Sequence, residues 1–156
     1  MRIISGSVNQ TLSIGRSIAG NLQAGDIICL FGNLGSGKTV LTKGIALGLG
    51  LHKKDVISPS YVLIREYKGG ELPLYHFDLY RLNKTREVIL LGYEEYFYGD
   101  GVSVVEWADR LGKLLPEGYL RIDLRVKGVI KRELRVSANG RRHRKLQEMI
   151  DEDIGT

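Results

Sequence analysis

Apolar positions along the chain change period several times, and each change predicts an element. Leu12, Ile14, Ile18 and Leu22 are spaced as on one face of a helix, with Thr11 placed as its N-cap. A turn at Gly25-Asp26 leads into the continuous run Ile27 to Phe31, as expected of a strand buried on both faces. After a glycine-rich loop, Leu41, Ile45 and Leu49 mark a second helix face that ends at Gly50. Tyr61 to Tyr67 and Leu72 to Phe77 read as paired strands around Gly69-Gly70. The spacing predicts a helix over 88–98, stopped by Gly99-Asp100-Gly101, and a short apolar strand over 102–105. Tyr119 to Val126 and Lys131 to Val136 alternate around Gly128 like a hairpin, and Arg141 to Ile150 reads as a basic-then-acidic helix or a frayed tail. This mixture predicts an α/β sheet layered with helices.

The length of 156 residues fits one core, and no repeat or linker divides it. Residues 1–140 are expected to form the domain, and 141–156 a charged C-terminal tail or helix. Hydrophobic residues at 43% and charged residues at 26% exclude global disorder. The net charge of +5 admits a phosphate or nucleic-acid partner as readily as simple solubility. Cys29 is the single cysteine, so no internal disulfide forms and a reducing cytoplasm is expected. No apolar run approaches the ~20 residues of a membrane span.

The chemistry is concentrated in Gly32-Asn33-Leu34-Gly35-Ser36-Gly37-Lys38-Thr39, which fits G-x-x-x-x-G-K-[ST] at every specified position. Glycines let successive backbone N–H groups converge on a phosphate, and the following helix adds its positive end. Lys38 supplies a point charge for the β- and γ-phosphates and Thr39 a hydroxyl for Mg²⁺. A buried strand before the motif and a helix after it supply the required context. Two strand-end carboxylates, Asp78 and Glu106, are candidates for holding the metal and orienting water, Glu106 being favoured by its more apolar strand. His76 reads more readily as a structural residue than as a base. Trp107, the only tryptophan, is balanced between core packing and a place near the nucleotide or a partner. Arg141-Arg142-His143-Arg144-Lys145 is a solvated helix face or an RNA-contacting patch.

Three further stretches carry a family likeness. Ser58-Pro59-Ser60-Tyr61, His76-Phe77-Asp78-Leu79-Tyr80-Arg81 and Glu106-Trp107 stand in the order and spacing of the TsaE (YjeE) family of small bacterial P-loop ATPases, and the chain resembles that family from about Thr11 to about Gly140. The resemblance implies a three-layer P-loop sandwich with a mixed β-sheet, binding of ATP or ADP with Mg²⁺, and slow ATP hydrolysis. It also implies action on the TsaB–TsaD pair, which places threonylcarbamoyl on the tRNA adenosine beside the anticodon, with at most an indirect or weak contact to tRNA itself. Carried over by position, Gly32 to Thr39 bind phosphates, Thr39 and Glu106 hold Mg²⁺, and Lys38, Asp78 and Glu106 form the catalytic set. Thr11, Trp107 and Arg132 lie near the nucleotide. Ser60 replaces the commoner Thr and Asn33 the commoner Asp.

Other classes fit less well. A small kinase needs an arginine-rich lid, and here the arginines cluster only after Arg141. A GTPase needs Asn-Lys-x-Asp, and Asn83-Lys84-Thr85-Arg86 lacks the acid. A nucleotide-gated assembly factor, in which binding rather than hydrolysis matters, differs from an ATPase in its response to loss of Glu106.

Overall fold

The computed structural model describes residues 1–56 and 63–155. The Ser58-Pro59-Ser60-Tyr61 stretch and the start of the strand expected from Tyr61 lie outside the described residues. Strands are β1 (Arg2–Ser5), β2 (Ile27–Phe31), β3 (Ile64–Tyr67), β4 (Leu74–Asp78), β5 (Val102–Glu106), β6 (Tyr119–Val126) and β7 (Arg132–Asn139). They form one sheet in the order β1-β7-β6-β2-β5-β4-β3. The four central strands β6, β2, β5 and β4 run parallel, whereas β1, β7 and β3 pair antiparallel at the margins. This is the expected mixed sheet.

Helices lie on both faces. On one side α1 (Val8–Ala19), α2 (Lys38–Gly48) and α5 (Arg141–Ile154) place Ile14, Ile18, Leu41, Ile45, Leu146 and Ile150 against Ile28, Leu30, Val104 and Ile122. On the other, α3 (Thr85–Leu90), α4 (Tyr93–Phe97) and a 3-10 segment (Ala108–Leu114) contribute Val88, Phe97 and Leu111, against Ile27, Cys29, Phe77 and Val105. Successive residues of β2 thus enter opposite cores. That is why this strand reads as an unbroken apolar run. Helices α1 and α2 approach so closely that a Cβ on Gly44 would lie 2.4 Å from the Leu12 carbonyl oxygen, and one on Gly15 would lie 2.6 Å from that of Leu41.

Two local expectations change. Thr11 is not the cap of α1. Ser7 is, with its hydroxyl accepting from the Gln10 N–H at 3.0 Å while Gln10 Oε1 accepts from the Gly6 N–H at 2.6 Å. This is a near-reciprocal capping arrangement, and it starts the helix one turn earlier. The single helix expected over 88–98 is two short helices, α3 and α4, broken at Gly92, whose φ of 69° is left-handed. Without a Cβ, glycine takes that conformation at little cost, so the chain turns there instead of propagating.

The segment 141–156 contains α5, whose apolar side packs into the same core as α1 and β2. Arg142 makes a two-pronged ion pair with Asp26 at 2.9 and 2.7 Å, and His143 Nε2 accepts from the Ile27 N–H at 3.1 Å. Two of the five basic-cluster residues therefore fasten the helix to the start of β2. Accepting at Nε2 requires the neutral ring, and burial pushes the His143 pKa down, against the opposing pull of Asp26. Among the described residues, no helix is long and apolar enough to cross a membrane.

Candidate nucleotide site

The glycine-rich loop spans the gap between β2 and α2 at the carboxyl ends of the parallel strands, where ligands of open α/β sheets bind. Gly37 opens α2 with φ 105°, and Lys38 is the first helical residue. The helix N-terminus and its unpaired N–H groups consequently face the loop. A cavity of about 490 Å³ lies above it. Loop residues 34–39 line this cavity together with Thr11, Asp78, Glu106, Trp107 and Arg132.

Strand register assembles the carboxylates. Asp78 and Glu106 are directly paired at the ends of β4 and β5, and both are buried. Glu106 is held from two sides. The Thr39 hydroxyl donates to its Oε1 at 2.8 Å, and His76 Nε2 is hydrogen-bonded to its Oε2. The sequence weighed His76 as an isolated structural residue; it is buried, but on the very carboxylate that meets Thr39. Asp78 Oδ1 accepts from the Tyr80 N–H at 3.1 Å.

Lys38 is buried, with Nζ donating to the carbonyls of Gly32 and Asn33 at 2.6 and 3.0 Å. Burial lowers its pKa, opposed by the negative charges of Glu106, Asp78 and Asp109. Thr11 is buried in the first turn of α1, where its hydroxyl shares a 2.7 Å hydrogen bond with that of Ser5. Arg132 reaches the loop from β7. One guanidinium nitrogen donates to the Gly35 carbonyl at 3.2 Å and the other to the hairpin carbonyls of Gly128 and Lys131 at 3.1 and 3.0 Å.

The Thr39 hydroxyl and Glu106 carboxylate are hard oxygen donors at one point, a set suited to Mg²⁺. Among the described residues no group of three or more His, Cys, Asp or Glu could hold a metal ion. A site with few protein ligands suits a cation that keeps water and phosphate oxygens in its shell.

The sequence reading did not single out Ser7, Val8, Val129 and Ile130, which also line the cavity. Ser7 was legible from the Ser-x-x-Gln cap. Val129 and Ile130 sit at the tip of the β6–β7 hairpin, with Val129 95% exposed. Two branched apolar residues beside Gly128 in a turn were the available signal, since turns are ordinarily polar.

The family model described as threonylcarbamoyl adenosine biosynthesis protein TsaE matches residues 5–134. A curated relative of that name from Bacillus subtilis is 42% identical over 93% of this chain and 87% of its own length. One from Treponema pallidum is 39% identical over 88% of this chain and 100% of its own. The crystal structure of Bacillus subtilis YdiB superimposes with a TM-score of 0.83 at 36% identity, covering 97% of this chain and 94% of that one. Motif, topology and these similarities agree that the chain belongs to the TsaE family of tRNA threonylcarbamoyladenosine biosynthesis proteins.

Proposed function

We propose that this protein binds ATP with Mg²⁺ in the cavity lined by loop residues 34–39 and hydrolyses it, in service of threonylcarbamoyl transfer to tRNA by a TsaB–TsaD pair. The observation that carries the reading is the hydrogen bond from Thr39 to Glu106 at the mouth of a complete phosphate loop. A bound Mg²⁺ would neutralise phosphate charge. Thr39 and Glu106 would hold it, and the loop N–H groups and Lys38 would orient the phosphate chain. Asp78, paired with Glu106 across the strands, completes the acidic side of the site. Glu106 is the group best placed to take a proton from an attacking water, since its orientation is fixed by Thr39 and His76. Thr11, Trp107 and Arg132 border the remainder of the nucleotide.

On this reading the protein works in the cytoplasm, where the ATP and tRNA substrates are found. It acts on its protein partners and does not itself form the modified base. ATP hydrolysis by the purified protein, alone and with a purified TsaB–TsaD pair, is the test. Slow hydrolysis that rises with the pair and vanishes in Lys38→Ala is expected. Hydrolysis unaffected by the pair, with no binding between them, would remove the partner assignment.

A further inference from the structure

Trp107 is the only non-glycine residue with positive φ among the described residues, at φ 58° and ψ 45°. The left-handed conformation is unfavourable for a residue with a Cβ, and such strain persists only where its surroundings hold it. The surroundings here are specific. Trp107 follows Glu106 directly and leads β5 into the 3-10 segment, with its carbonyl accepting from the Arg110 N–H at 3.0 Å. Its ring packs on Tyr80, centroids 4.8 Å apart. The other notable contact is with a cation: Lys38 Nζ lies 4.1 Å from the ring centroid.

The Lys38 ammonium has three protons. Two go to the carbonyls of Gly32 and Asn33, and the Ser36 hydroxyl lies 3.4 Å away as a third acceptor. The indole covers the ammonium beyond these oxygens. An ammonium over an indole face is attracted by the ring's negative face, more strongly when water is excluded. A lysine without such a cover has four flexible bonds and a strong preference for water.

We infer that Trp107 is a positioning residue for Lys38, its π-face confining the charged ammonium at the phosphate loop. The Trp107 backbone turn aims the ring, Tyr80 braces it, and the ring limits the volume in which the ammonium moves. A phosphate entering the loop then meets a cation already in place and less entropy is lost on binding. The affinity part of this inference rests on the proposed ATP reading; the contact itself does not.

The experiment has two arms. First, the Lys38 ε-methylene protons are assigned by NMR in the wild-type protein and in Trp107→Leu without nucleotide. The expected result is an upfield ring-current displacement that disappears in the variant; an undisplaced wild-type resonance overturns the inference regardless of any ATP result. Second, Mg–ATP dissociation constants are compared for Trp107→Phe and Trp107→Leu, each checked for an unchanged fold by circular dichroism. Both keep a side chain at the strained backbone position, so the comparison isolates the aromatic face. Trp107→Phe is expected to stay within about twofold of wild type and Trp107→Leu to weaken binding about fivefold. Equal affinities for the two variants overturn the positioning role. Failure of the wild-type protein to bind Mg–ATP would instead overturn the proposed function, leaving the first arm to decide the contact.

Discussion

The two halves of the sheet bury charge in different ways. At the β1–β7 margin, Glu133 accepts from Arg135 at 2.7 Å and Arg2 at 2.8 Å, and Lys127 lies 3.9 Å away. At the centre, Glu106 is equally buried but faces a hydroxyl and an imidazole, with another carboxylate, Asp78, paired beside it. The marginal carboxylate is neutralised within the fold. The central one lies at the wall of a cavity, beside the loop that carries Lys38. Burial alone therefore does not distinguish the two carboxylates: their partners do. Glu133 is bracketed by guanidinium groups inside the fold, whereas Glu106 is held by a hydroxyl and an imidazole at a cavity wall.

The largest effect of a substitution is expected at the centre. Lys38→Ala is expected to lower ATP hydrolysis at least about a hundredfold while the unfolding temperature stays close to wild type, as measured by phosphate release and calorimetry. Next is the scaffold beneath the loop. Gly44→Ala forces a Cβ into the Leu12 carbonyl, and the helices must separate. A loss of about 2 kcal/mol, seen as a thermal midpoint about 6 °C lower, is expected.

The smallest effect belongs to the margin. The Arg135 and Arg2 hydrogen bonds hold the Glu133 pKa down, from 4.5 to about 2. Because the folded value lies below the unfolded one, this pairing contributes stability above pH 4.5 that is lost as pH falls towards 2. The stability gap between wild type and Glu133→Gln, from urea titrations at a series of pH values, should therefore be widest above pH 4.5 and close below it. A gap independent of pH would show that Glu133 acts by packing alone.

The centre was the more legible half. The glycine-rich loop is contiguous, so residues that stand together in the chain also stand together at the cavity, and spacing alone placed them there. Asp78 and Glu106 were legible because an apolar run that ends in an acid places that acid at a strand end. Their register pairing was not, since strand neighbours are set by packing across 27 intervening residues. His76 on Glu106 is likewise a cross-strand contact. The alternating β6 and β7 segments revealed their hairpin, but not that Arg132 and the hairpin tip lean over the loop. Thr11 drew the helix start because apolar periodicity begins beside it; Ser7 prevailed because its hydroxyl and the Gln10 side chain satisfy backbone donors one turn earlier. The break at Gly92 was hidden inside a helical pattern, since one glycine does not stop a helix unless tertiary packing rewards the turn.

On the proposed reading Glu106 serves chemistry at the loop and not merely its architecture. Mg–ATP affinity and phosphate release should be measured side by side for wild type and Glu106→Gln, which keeps the shape and removes the charge. The variant is expected to bind ATP still, within about tenfold of wild type, and to lose hydrolysis by about a hundredfold or more. Phosphate release at the wild-type rate from Glu106→Gln would rule out a chemical role for this carboxylate.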